Sequence, residues 1–189
     1  DATTGEPIIV DTDGEPGITA ADETYIGDPH PDVIYGGTLN LGYNGFDLSV
    51  FVQGVSGNQI LNGIPRTDNG NINLPLNYYN GRWTPGRTDA TWTAVGNASQ
   101  VYRSDLLVED GSYTKIKQIQ LGYSFSNDVL DRLPLSKLRA YISLENFFTF
   151  TKYSGLDPEI GSNFNSSIGV DTGKYPTPRS LIFGMSLSL

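Results

Sequence analysis

The chain has no cysteine, one histidine and one methionine in 189 residues. Without cysteine there are no disulfides, no thiol nucleophile and no thiolate metal site. His30 sits between Pro29 and Pro31 with no second imidazole to share a metal, so no chemistry is assigned to it. Long hydrophobic runs are missing as well. None approaches the ~18 apolar residues of a membrane-spanning helix, which excludes a helical membrane protein. Positive charge is scarce, with Lys+Arg at 12 against Asp+Glu at 21 and a formal net charge of -9; such a chain repels phosphates, and nucleic acid is excluded as a partner. The opening residues, Asp1-Ala2-Thr3-Thr4, are neither basic nor apolar and contain no signal peptide. For an exported protein that predicts a piece of a longer polypeptide.

What is present is alternation. Leu181, Phe183, Met185, Leu187 and Leu189 alternate with Ile182, Gly184, Ser186 and Ser188 in a strand predicted over 179–189. The runs 37–43 and 46–53 alternate on either side of Asn44-Gly45, the strongest short hairpin signal. A two-residue turn there pairs Tyr43 with Phe46 and puts Leu39, Leu41, Leu48, Val50 and Val52 on their face. A third strand is expected over 118–126, with Ile119, Leu121, Tyr123 and Phe125 on the apolar side, and a fourth over 137–148, with Leu138, Ala140, Ile142 and Leu144. Lys115-Ile116-Lys117 is out of phase, which predicts a β-bulge or an exit from the membrane.

A strand apolar on one face and polar on the other needs lipid or a core outside it. The connections favour lipid, because they alternate short and long as in outer-membrane barrels, which have short periplasmic turns and long external loops. Asn44-Gly45 and the turn over 127–136 are expected in the periplasm, and residues 1–36, 54–117 and 149–178 outside. The domain reading is an external acidic loop over 1–36, then barrel strands and loops over 37–189. Tyr43, Phe46, Tyr123 and Phe125 are expected in the periplasmic aromatic girdle, with Phe147, Phe148 and Phe150 near the outer one. The alternatives are a soluble secreted β-sandwich acting as a carbohydrate-binding module and a secreted glycan hydrolase domain.

Longer motifs add a resemblance. Ser104-Asp105, Val108-Glu109-Asp110-Gly111-Ser112-Tyr113, Leu121-Gly122-Tyr123, the run from Glu145 through Phe147-Phe148-Thr149-Phe150 to Leu156-Asp157-Pro158-Glu159, and Tyr175-Pro176-Thr177-Pro178-Arg179 resemble the C-terminal part of SusC/RagA-type TonB-dependent transporters. Tyr25-Ile26-Gly27-Asp28-Pro29-His30-Pro31 and Arg82-Trp83-Thr84-Pro85 fit the same pattern. The resemblance implies an all-β fold: the last five strands of a barrel of about 22 antiparallel transmembrane strands, with the plug domain absent from this chain. It also implies import of oligosaccharides or peptides across the outer membrane of Bacteroidetes-type bacteria, not an enzymatic reaction. The implied partners are the remainder of the barrel and its plug, a SusD-like surface lipoprotein, and a TonB energising complex engaged through the missing N-terminal part.

Two groups of residues are candidate sites. Asn77, Tyr78, Tyr79, Trp83 and Trp92 share the longest external loop, and aromatic faces beside amides and hydroxyls suit sugar rings or peptide bonds; the competing reading is that they pack the loop onto itself or against the lid protein. Over 11–22, Asp11, Asp13, Glu15 and Asp22 fall at relative positions 1, 3, 5 and 12 of a calcium loop, with the Gly17 carbonyl at position seven. Pro16 replaces the sharp-turn glycine and Asp22 the usual glutamate, and the competing reading is a solvated acidic loop. No cofactor is required; calcium is a candidate structural ion. Asp157 and Glu159 have the residue types of a hydrolase pair, but Pro158 between them favours a structural role. Arg82 and Arg87 are candidates for holding an acidic substrate group or ordinary surface contacts.

Overall fold

The computed structural model describes residues 1–65, 73, 75–96, 101, 104–126, 130, 134–161 and 167–189. Five long strands, β1 (Val33–Tyr43), β2 (Phe46–Ser56), β5 (Tyr113–Ser124), β6 (Lys137–Thr151) and β8 (Ser180–Ser188), form an antiparallel sheet in the order β1-β2-β5-β6-β8. β1 and β2 are joined by Asn44 and Gly45 at φ 47 and 83. Positive φ at both residues matches the twist of a two-residue hairpin, and Tyr43 faces Phe46 as the turn length requires.

The five-strand register is regular enough to read across. Leu41, Leu48, Leu121, Ile142 and Phe183 form one continuous row, and Leu39, Val50, Ile119, Leu144 and Leu181 the next. The offset row on the other face is Asn40, Ser49, Gln120, Ser143 and Ile182. No described element covers the apolar rows: Leu41 is 54% exposed, Phe183 73% and Met185 68%. A soluble sandwich would bury this face under a second sheet, and here it is bare.

Strand limits differ from the sequence expectation. β1 starts at Val33, inside the segment assigned to the external loop; β2 reaches Ser56; β6 reaches Thr151; and β5 starts at Tyr113, not at 118. Bulges account for the largest of these differences. The β2–β5 register shifts between Phe51 and Val52, and the β5–β6 register between Ile116 and Gln118. Lys117 is the extra residue against β2, and across the same point β6 holds Asn146, at φ 57, and Phe147. Pairing continues on both sides, but the phase inverts, so Ile116 lies opposite outward Val52 and Phe148 while Lys115 lies opposite inward Gln53. The expected turn at 127–136 falls in part outside the described residues.

Above the sheet, β3 (Gln59–Asn62), β4 (Val108–Asp110) and β7 (Val170–Asp171) form a small sheet in the order β4-β3-β7, antiparallel between β3 and β4 and parallel between β3 and β7. Ile60, 0% exposed, and Leu107, 2% exposed, form its core. On the inner face of the large sheet Arg139 makes a two-pronged pair with Asp47, Nε to Oδ1 at 2.9 Å and Nη2 to Oδ2 at 2.5 Å, passing over Gly122. A Cβ there would collide with the guanidinium. Gly37 has nothing within 4 Å of its missing Cβ. Gly122→Val is therefore expected to cost roughly 1–3 kcal/mol through overpacking and to lower the denaturant midpoint of unfolding, whereas Gly37→Val leaves it unchanged.

Candidate functional site

The aromatic loop begins with α1 (Leu76–Gly81), a single short helix that follows Pro75. The chain then doubles back: Gly81 O accepts from Thr91 N at 2.9 Å and from Trp92 N at 3.1 Å, and Trp83 N donates to Trp92 O at 3.0 Å. Glycine is needed at 81 because a Cβ would press on Thr91 and the Trp92 ring. Tyr78, 1% exposed, packs against Trp92 with ring centroids 5.2 Å apart. Trp83 turns to the leader, the N-terminal residues 1–32 that precede β1. Its Nε1 donates to Ala2 O at 2.9 Å, Gly5 lies against its ring, and Ala94 N donates to Gly5 O at 2.8 Å.

The five predicted aromatic-loop residues therefore share one loop but are not equally available. Tyr78 is spent in the loop interior, and the Asn77 side chain accepts from Tyr78 N at 2.9 Å. Trp83 and Trp92 are half-buried and line a cleft of about 1350 Å³ with Arg87 and with Ile8, Ile18 and Leu106. Tyr79 is 58% exposed and carries the Arg82 guanidinium 3.8 Å above its ring. Arg87 is not free for an acidic ligand: it donates to Asp89 at 2.8 Å, to Asn80 O and to Arg82 O, closing the turn after α1. The leader's contribution to the cleft was missed by the sequence reading, although Ile8-Ile9-Val10 is an apolar run inside an otherwise acidic stretch.

The acidic loop is partly assembled. Carboxylate oxygens of Asp11, Asp13 and Asp22 lie within 4.8 Å of one another, and Glu15 is not in that group. Asp22 is the organiser. It ends the 3-10 turn Ala20–Asp22 in a capping box with Thr19, accepting from Thr19 N at 2.8 Å and Thr12 N at 2.7 Å. Those backbone N–H groups hold its carboxyl below the usual carboxylate range. Asp11 accepts from Gly14 N and Asp13 from Glu15 N. Each oxygen has a second lone pair, so the three carboxylates can still offer ligands to a hard cation.

Asp157 and Glu159 lie against the sheet. Lys115 Nζ donates to Asp157 Oδ1 at 2.6 Å and Glu159 Oε2 at 2.9 Å; Lys117 Nζ reaches Glu159 Oε2 at 3.0 Å, and Gln53 Nε2 donates to Glu159 Oε1 at 3.0 Å. Burial pushes both carboxyls up, but the lysines, joined at Asp157 by the N–H groups of Glu159 and Thr177, outweigh it and hold both below the usual range. A glycosidase acid needs the opposite shift. Nearby, burial followed by the Asp171 carboxylate pushes the Tyr153 phenol up; it donates to Asp171 at 2.7 Å.

A pH dependence follows for the acidic turn. Because the Asp22 pKa is lowered on folding, its contribution is present above the usual carboxylate range and lost as pH falls through the lowered value. Amide protection of Thr12 and Thr19 is expected to hold from neutral pH down to the carboxylate range and then drop. Asp22→Ala should abolish it at pH 7, with or without chelator, as a hydrogen-exchange measurement will show.

No family model matches the chain. Among curated proteins it is 34% identical over 196 residues to TonB-dependent receptor P3 of Formosa agariphila, an alignment spanning 99% of this chain and 19% of the receptor. It is 30% identical over 190 residues to TonB-dependent receptor SusC of Bacteroides thetaiotaomicron, spanning 97% of this chain and 18% of that receptor. Among solved structures, the RagAB peptide importer in the closed-closed state superposes with a TM-score of 0.76 at 26% identity, over 99% of this chain and 22% of that chain. The open-open state gives 0.78 at 24% identity, over 100% of this chain and 21% of that one. The chain thus spans about a fifth of the length of the relatives it matches. On a likeness that runs from end to end in sequence and extends to the five-stranded wall, the chain belongs to the SusC/RagA-type TonB-dependent receptors.

Proposed function

We propose that this segment is a stretch of barrel wall, with its external loops, in an outer-membrane importer of nutrient oligomers. The observation that carries the reading is the pair of unbroken apolar rows on one face of five strands, with a mostly polar row behind them and no covering element among the described residues. Such a face suits acyl chains. In hydrocarbon, unpaired backbone groups each cost several kcal/mol, so the outer edges of β1 and β8 would pair with further strands of the same barrel. Phe46, Tyr123 and Phe125 cluster at one end, with ring centroids 4.6 and 5.1 Å apart, as an interfacial girdle beside the short Asn44-Gly45 turn. That end would be periplasmic, and the aromatic loop, the leader and the small sheet would face outside.

Import would be energised through TonB by the remainder of the receptor, with a SusD-like lipoprotein over the external loops. Trp83 and Trp92, which line the cleft, would meet an oligosaccharide or a peptide there, with exposed Tyr79 outside the cleft lining as a further aromatic face; Tyr78 and Asn77 would act by shaping the loop. Asp11, Asp13 and Asp22 would hold calcium as a structural ion that tightens the leader, with Glu15 and the Gly17 carbonyl as candidates to complete its shell. Expected ligand distances are about 2.3–2.6 Å.

Arginine scanning in the full receptor tests the wall. Val50→Arg or Phe183→Arg, on the apolar face, is expected to cost roughly 2–4 kcal/mol and Ser49→Arg far less, read as folded barrel in lipid vesicles across a urea series. Equal tolerance of the two faces would count against a lipid-facing wall.

A further inference from the structure

The charged cluster at the upper end of β5 is not needed to explain a barrel wall. In an unbroken strand Lys115 and Lys117 would share the face of Ile119, Leu121 and Tyr123 and point into the apolar side. The bulge at Lys117 inverts the phase, so that Ile116 takes the outward place and both ammonium groups reach the inner side, where Asp157 and Glu159 lie. The Lys115 side chain is 3% exposed and that of Asp157 11%. A buried ammonium is tolerated only when its partners are complete, and here they come from a loop, not from the sheet.

The loop is gathered by the same groups. Asp157 Oδ1 accepts from Glu159 N at 3.0 Å as well as from Lys115, and Asp157 Oδ2 accepts from Thr177 N at 3.0 Å. One carboxylate thus joins the early part of the external segment, its late part and the wall. Glu159 adds a second strand by taking Gln53 of β2. We propose that Lys115, Lys117, Asp157 and Glu159 form a charge latch that holds the described parts of the external segment, 153–161 and 167–177, down on the inner side of β5, engaged at neutral pH and released when the two carboxylates are protonated.

The groups facing the latch are Lys115, Lys117 and Tyr113 of β5, whose ring centre is 5.7 Å from Lys115 Nζ, uncharged Gln53 of β2, and the two loop carboxylates. Of these groups the two carboxylates set the threshold. Their pKa values are lowered on folding, so the latch is complete above the usual carboxylate range and fails as pH falls through the lowered values. At neutral pH the segment is a fixed part of the rim and does not swing.

Hydrogen exchange on the full-length receptor in detergent or outer-membrane vesicles tests this, followed by mass spectrometry on peptides covering 153–161 and 170–177. Lys115→Met keeps the apolar stem and removes the charge. It is expected to speed exchange at Glu159 and Thr177 at least tenfold at pH 7 while the heat-modifiable barrel persists. Protection equal to wild type in folded Lys115→Met would overturn the latch. If that variant does not assemble, the wild-type pH series decides. After correction for intrinsic exchange, protection that is flat around neutral pH and falls only as pH drops below the usual carboxylate range supports the latch, and protection indifferent to acid overturns it. That the latch lies on the lumen side rests on the proposed membrane orientation. Absence of a heat-modifiable barrel in the wild-type receptor would count against that orientation, and the exchange result bears on the latch alone.

Discussion

Register is the constraint on which the rest of this structure depends. With a side-chain period of two, a slip of one residue in any strand would move every leucine of the apolar rows to the polar face and every serine and glutamine to the other. Five strands agree on one register, from Leu41 on β1 to Phe183 on β8. The devices that fix it are local. Asn44 and Gly45 set the first pairing through their positive φ values, and the Arg139–Asp47 pair spans β6, Gly122 and β2 at the girdle end. At the opposite end the bulge opposite Asn146 converts an out-of-phase lysine pair into an inward one.

From register follows the division of labour between wall and loops. Among the described residues the large sheet, Tyr113 of β5 apart, buries little apolar core of its own, because no described element covers its apolar face and its other face is mostly polar. The buried apolar side chains Ile60, Leu107, Tyr78 and Tyr153 instead belong to the loops and the small β4-β3-β7 sheet. The chain therefore contains two kinds of stability: a ladder of backbone hydrogen bonds in the strands, and a compact packed rim above them. Buried Asp171 couples the two, accepting from Tyr153 just past the end of β6 while its own β7 pairs with β3. So do the carboxylates of Asp157 and Glu159 on the β5 lysines.

How much of this could be read from residues alone depended on the range of the interactions. The hairpin at Asn44-Gly45, the face assignment of all five strands and the irregularity at Lys115-Ile116-Lys117 were legible, because turn chemistry and alternation are local signals. Strand ends were not, because a bulge hides the continuation of a strand by reversing its phase; β5 starts five residues earlier than its alternation suggested. The small sheet was invisible, since Val108–Asp110 and Val170–Asp171 are too short to show a period and pair only over long sequence distances. At the aromatic loop the residue types were legible but their burial was not. Nothing in Asn77-Tyr78-Tyr79 says which ring turns inward, and packing against Trp92 decides it. Asp157-Pro158-Glu159 showed its carboxylates, but their lysine partners lie some forty positions away, and only the fold brings them together.

The central claim is a single membrane-facing register with one phase inversion at Lys117. Spin labels placed singly along 46–53 and 113–124 of the full receptor in native vesicles measure it, by comparing accessibility to oxygen, which partitions into lipid, and to a water-soluble nickel chelate. Oxygen-accessible Leu48, Val50, Ile119 and Leu121 are expected to alternate with protected Ser49 and Gln120, and beyond Lys117 the pattern is expected to invert, with Ile116 and Thr114 oxygen-accessible and Lys115 not. Alternation running unbroken through Lys117, or equal nickel accessibility of both faces, would contradict it.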